Sequence, residues 1–143
     1  MKDEDVRESI LIWFKLSRIY SDNLKESNQI LKAYGISLGQ FDVIAQLGIG
    51  REITQNELSE KLLVTKGNIS QLLASLEEAG LVCRRQVWKT KYVSLTEKGI
   101  TLHDEVVPLL EAFQHDTFGV LEKEEKTELL RLLRKLGRRT NQI

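Results

Sequence analysis

Two stretches near the middle of the chain hold side chains suited to hydrogen bonding and to charge contact. Between positions 65 and 75 stand Thr65, Lys66, Gly67, Asn68, Ser70, Gln71, Ala74 and Ser75, and between 84 and 91 stand Arg84, Arg85, Lys89 and Lys91. Asn and Gln present a donor beside an acceptor, which matches the major-groove edge of adenine, and small neighbours permit close approach. Arg and Lys on a loop neutralise phosphates or reach into a minor groove. The partner that these types and spacings suit is double-stranded DNA.

The charge balance agrees only when it is resolved along the chain. Lys+Arg and Asp+Glu number 21 each, a formal net charge of zero. Residues 1–60 carry seven basic and ten acidic side chains, residues 61–98 seven and three, and residues 99–143 seven and eight, so the segments stand at −3, +4 and −1. A phosphate backbone feels the local field, since charges more than about 8 Å away are screened at physiological salt. Charge alone is equally met by a solvated basic loop, so the elements that carry these residues must decide.

Val6, Ile10, Trp13, Phe14, Ser17, Tyr20 and Leu24 recur at steps of three or four, which predicts a long amphipathic helix from about Asp5 to Ala33, ended by Gly35. Ser37 and Gln40 form a capping box for a second helix through Phe41, Val43, Ile44 and Leu47. Thr54 and Glu57 open a short third helix that buries Leu58 and Leu62 and stops near Leu63. Thr65 caps a fourth, which runs to about Ala79 and stops at Gly80. At 100° per residue, Ile69, Leu72, Leu73 and Leu76 of that helix face inward, Gly67, Ser70, Gln71 and Ala74 face outward, and Asn68 and Ser75 lie on one flank. A helix that merely covers a core would carry Lys and Glu pairs outside; this one is small and polar.

After Gly80 the period shifts toward two. Residues 81–85 and 91–95 read as strands joined by a loop over 86–90, a hairpin with Trp88 among its cations. Trp88 is expected to pack on the neighbouring strand, the other reading being a wedge against a sugar. Cys83 is expected to be a buried, inert strand cysteine rather than a reactive thiol beside Arg84 and Arg85. Thr96 restarts helix, with Ile100, Val106, Val107, Leu110 and Phe113 on its apolar face and Pro108 as a kink, and a last helix from Glu122 to about Arg138 carries a leucine stripe at 129, 130, 132, 133 and 136, with Arg138 and Arg139 at its end. The fold class is therefore mainly α with a small β-hairpin wing, a winged helix-turn-helix. In that geometry the second helix of the motif enters the major groove and the hairpin reaches the flanking backbone.

The run TQNELSEKLLVTKGNISQLLASLEEAGLV followed by VSLTEKG resembles the MarR family of bacterial transcriptional regulators. The resemblance covers nearly the whole chain and is most specific at Leu76, Glu77, Gly80, Leu81 and Val82 and at Leu95, Thr96, Glu97, Lys98 and Gly99. It implies one domain over 1–143, with a winged part at about 36–99 and helices at about 1–34 and 100–143 that pair two subunits. It further implies a homodimer on a pseudo-palindromic operator and repression relieved by a small-molecule effector. The sequence departs from the family at the wing, where an Asp-x-Arg pair is common: Val87 stands at the acid and Lys89 at the Arg. Lys is a point charge without the guanidinium fork, so backbone attraction is expected there more than bidentate reading.

Other classes fall away. No apolar run approaches the ~20 residues of a membrane span, the acidic start at Asp3, Glu4 and Asp5 is not an export signal, and a cytoplasmic protein with no membrane partner is expected. His103 and His115 lack metal-ligand spacing, so neither a metal nor another cofactor is expected. No phosphate loop, nucleophile elbow or paired His supports catalysis, which predicts a protein that is not an enzyme. Trp13, Tyr20, Tyr34, Phe41 and His103 are the candidates for an effector cleft, against their reading as core and dimer interface. The alternative function is a winged-helix module that binds another protein without reading DNA.

Overall fold

A computed structural model describes residues 2–62 and 64–138, together with their side chains except that of Lys66. Leu63 and Arg139, named above, lie outside the described residues. The element order is α1 (Asp3–Lys32), α2 (Leu38–Leu47), β1 (Ile53–Thr54), α3 (Gln55–Leu62), α4 (Lys66–Glu78), β2 (Val82–Val87), β3 (Thr90–Leu95), α5 (Glu97–Phe118) and α6 (Lys123–Gly137). The chain is mainly helical with a small antiparallel sheet of order β1-β3-β2. It divides into two compact units, Met1–Leu109 and Leu110–Ile143.

The first unit is built by local signals. Gly35 takes φ +72 after α1, a left-handed turn that costs glycine nothing. The Ser37 hydroxyl accepts from the Gln40 amide at 3.2 Å while the Gln40 side chain accepts from the Ser37 amide at 2.9 Å, so the expected capping box is formed. Asn28 of α1 accepts from the Leu38 amide at 3.0 Å and holds the two helices together at that corner. Thr54 and Thr65 cap α3 and α4 by accepting from the amides of Glu57 and Asn68. The core collects Leu31, Val43, Ile44, Leu47, Leu58, Leu73, Leu76, Val93 and Val106, all without exposure. Burying each such side chain is worth about 1.5–3 kcal/mol. Leu62 of α3 is only half-buried, and Ser59 is buried instead, its hydroxyl donating to the Asn56 carbonyl.

The sheet holds one strand that patterning does not reveal. Ile53 and Thr54 pair with Val93 and Tyr92, so the hairpin is anchored on its β3 side. β2 and β3 pair from Val82↔Leu95 to Val87↔Thr90, leaving Trp88 and Lys89 as a two-residue turn, shorter than the expected loop.

In the second unit, α6 opens with Glu125 accepting from the Glu122 amide at 2.8 Å. None of its residues is buried: Leu130, Leu132, Leu133 and Leu136 are all exposed. Among the described residues no helix is long and apolar enough to cross a membrane.

Candidate nucleic-acid interface

α4 has the two faces its sequence requires. Ile69, Leu73 and Leu76 are buried, and Leu72 is half-buried where its methyl sits 3.3 Å from the position a side chain at Gly39 would take. Gly67, Asn68, Gln71, Ala74 and Ser75 are exposed and Ser70 is half-exposed. Lys66 opens the helix. Val64, Asn68, Gln71, Leu72 and Ser75 line one shallow groove, which brings the two amide side chains together. Ser75 has a structural task besides: it accepts from the Gln40 side chain at 3.0 Å and donates to the Leu72 carbonyl at 2.8 Å. Gln40 thereby caps α2 and ties it to α4.

The C-terminal end of α4 is fastened. Gly80 takes φ +76, its amide donates to the Glu77 carbonyl, and the Leu81 amide donates to the Leu76 carbonyl, both at 2.9 Å, a Schellman ending. Two further carbonyls are met from α5 and the residue before it. Thr96 donates to Gly80 at 2.6 Å and Lys98 donates to Ala79 at 2.9 Å. Thr96 also accepts from the Gly99 amide at 3.1 Å and so caps α5. A side chain at Gly99 would meet the Leu81 carbonyl oxygen at 2.0 Å, so only glycine allows this approach. The run from Leu95 to Gly99 is thus the seat of the C-terminal end of α4.

The wing divides its cations into two kinds. Arg84 is mostly buried and donates to Glu77 at 3.1 Å and 3.4 Å; that hydrogen bond holds the Glu77 carboxyl below its ordinary value of 4.5. Arg85 donates to Glu52 at 2.6 Å and lies over the Tyr92 ring at 5.0 Å, and the Glu52 carboxylate raises the guanidinium's pKa further. Both arginines, expected at the interface, are held by acids from α4 and from the segment before β1. Lys89 and Lys91 are exposed, and neither has a carboxylate partner among the described residues. They line, with Thr54, Gln55, Asn56, Ile69 and Thr90, a polar cleft of about 400 Å³ between the wing and the helical motif.

Two expectations for the wing are corrected. Trp88 does not pack on the neighbouring strand: it sits in the turn and is 92% exposed. Cys83 is exposed rather than buried, because alternate residues of a strand face opposite sides and Val82 takes the inner one; its Sγ lies 3.2 Å from the Ser94 hydroxyl.

A second cleft, of about 410 Å³, is lined by Tyr34, Gly35, Ile36, Gln40, Ala79, Leu81, Lys98, Thr101, Leu102 and Glu105. Of the aromatic and histidine candidates, it gathers Tyr34 alone. Trp13 and Tyr20 are each 67% exposed on α1, Phe41 is half-buried on α2, and His103 lies beside Asp104 at 3.3 Å. Lys98 and Thr101 carry no cleft signal in the sequence, because a lysine and a threonine on a helix have no distinguishing spacing. Among the described residues no cluster of His, Cys, Asp and Glu is arranged to hold a metal.

The family model of the MarR family matches residues 34–87, from the end of the first helix region through the outer strand of the wing. An uncharacterized HTH-type transcriptional regulator of Bacillus cereus is 41% identical over 127 residues, covering 88% of this chain and 86% of the relative. The chain belongs to the MarR family. Its fold matches AbsC, a MarR family transcriptional regulator from Streptomyces coelicolor, with a TM-score of 0.86 at 19% identity over 98% of this chain and 96% of that one. It also matches MepR of S. aureus, solved as a complex with DNA, with a TM-score of 0.80 at 23% identity over 86% and 93% of the two chains. In this MarR-family chain α3 and α4 are followed directly by the hairpin of β2 and β3, the element order of a winged helix-turn-helix.

Proposed function

We propose that this chain is a DNA-binding transcriptional regulator that acts as a homodimer, with α4 of each subunit in a major groove and each wing on flanking DNA. The observation that carries the reading is the outer face of α4: Gly67, Asn68, Gln71 and Ala74 are exposed, uncharged and short, on a helix capped at one end and fastened at the other. Asn68 and Gln71 are the base readers, Thr65 and Lys66 flank them, and Lys89 and Lys91 supply phosphate attraction. Glu77 and Glu78 stand at the far end of the helix, where acid is held off the duplex.

Homodimerisation is supported by apolar side chains with nothing over them. α1 exposes Ile10, Ile12, Trp13, Phe14, Ile19 and Tyr20, and α6 exposes Leu130, Leu132, Leu133 and Leu136. Patches of this kind on a water-exposed helix mark an interface, and a second copy of the chain is the occupant proposed for both. Two reading helices then meet half-sites about 34 Å apart. The cleft beside Tyr34 and Lys98 has the size of a small-ligand pocket and abuts the fastened end of α4, which supports its reading as the effector site of a repressor.

The test is fluorescence anisotropy with the DNA upstream of the protein's own gene, against scrambled competitor, at two salt concentrations. Selective binding by two subunits per site, weakening with log salt at a slope near −0.9 per phosphate neutralised, is expected. Binding that scrambled DNA displaces equally well overturns specific recognition and favours a module that docks on another protein.

A further inference from the structure

The tip of the wing combines two features that a purely structural turn avoids. Trp88 is 92% exposed, and its backbone takes φ +57. Left-handed backbone on a bulky residue is rare and costs on the order of 1–3 kcal/mol, and tight hairpins place glycine, asparagine or aspartate there. The conformation is braced, since the Gln86 side chain donates to the Trp88 carbonyl at 3.1 Å. Beyond Tyr92 the third strand is gone, so Gln86–Lys91 is a two-stranded ribbon with an indole at its end, Val87 partly exposed beside it and the exposed Lys89 and Lys91 around it.

We infer that Trp88 is an apolar wedge for duplex DNA, which enters the minor groove beside the site read by α4 and partly unstacks one base step. The inference rests on the proposed regulator function. Three observations choose DNA as the occupant. The cations beside the indole lack acidic partners among the described residues, as suits phosphates on either side. The single indole at the end of the ribbon fits a groove about 6 Å wide while the two strands stay outside it, whereas a stable protein interface needs about 800 Å² per partner and one Trp supplies about 150–250 Å². Apolar side chains inserted between base steps are an established way to kink a duplex, and the orienting acid and the Arg fork of the wing are both absent here, with Val87 and Lys89 in their places. Unstacking is easiest at pyrimidine–purine steps, so the wedge confers a preference for TA or CA/TG at a position that no hydrogen bond reads.

The experiment uses the full chain and a duplex that the wild type selects from a randomised pool. Trp88→Gly suits the positive φ, so its thermal stability should equal or exceed that of wild type while its affinity for the duplex falls about tenfold. Trp88→Phe should restore most of the affinity. Replacing the pyrimidine–purine step under the wing by a G·C step should weaken the wild type and leave Trp88→Gly unchanged. Indole emission should be quenched and shielded from acrylamide on the duplex in wild type, and that component should be missing in Trp88→Phe. Equal affinity of wild type and Trp88→Gly, or a Trp88 emission component, taken as the difference between wild type and Trp88→Phe, that stays open to acrylamide on the saturated duplex, overturns the wedge alone. A wild type that enriches no duplex overturns the regulator reading itself, and the wedge with it.

Discussion

Thr96 donates its hydroxyl hydrogen to the Gly80 carbonyl at 2.6 Å while accepting from the Gly99 amide at 3.1 Å, so one side chain closes the end of α4 and opens α5. Thr96→Val keeps the shape and removes both bonds. The expected loss is about 1–2 kcal/mol, read as a lower urea midpoint with an unchanged slope. A midpoint equal to wild type would show that water serves both groups as well as the hydroxyl does.

Gly99→Ala should be harsher, because the added methyl would lie 2.0 Å from the Leu81 carbonyl oxygen. Backbone must move, and about 3 kcal/mol of stability should go with it. Since α4 is seated on this contact, the variant should also lose DNA affinity under conditions where circular dichroism still reports it folded.

Lysines and arginines of the wing should separate in their salt dependence. Lys89→Ala should reduce the slope of log affinity against log salt by about one per subunit, whereas Arg84→Ala, already neutralised by Glu77, should reduce it by less. Equal reductions in the two variants would place Arg84 on a phosphate after all.

The Glu77 carboxyl is held below its ordinary 4.5 by Arg84. A carboxyl depressed in the folded state adds stability that is complete above its unfolded value and is lost as pH falls through the lower folded one. Between pH 5 and pH 3, therefore, wild type should lose more stability than Glu77→Gln. The margin is small because the Glu77 carboxylate is open to water. Parallel urea midpoints for the two proteins across that range would remove the linkage.

Replacing both Leu133 and Leu136 by Lys should produce monomers or insoluble protein, since the exposed stripe of α6 would no longer accept a second copy. Light scattering decides: a soluble dimer of unchanged mass removes this helix from the interface.

What was legible in the sequence was what is local. Ser37 with Gln40, Thr54, Thr65 and the stop at Gly80 act within three or four residues of themselves, and each forms the bond its type predicts. The inward and outward faces of α4 follow from its period in the same way. The pairs that reshape the candidate interface join residues 33 and 35 positions apart, Glu52 with Arg85 and Gln40 with Ser75, and no spacing rule reaches that far. β1 is two residues long and has no period to detect. Residue type favours burying Cys83 and Trp88, while the side of a ribbon or the tip of a turn on which a residue stands is decided by tertiary pairing, and both are exposed.

The corner between α4 and α5 has a consequence for motion. With its last carbonyls held by Thr96 and Lys98 and with Gly99 against Leu81, the junction has no slack, and a rotation of the first turns of α5 is inherited by α4 in full. α4 has 13 residues, a lever of about 20 Å. A tilt of about 10° at the corner then swings the end that carries Asn68 by about 3 Å, which is the length of a hydrogen bond. If α4 reads bases as proposed, letting go of a base edge needs no unfolding, only a tilt of about 10°.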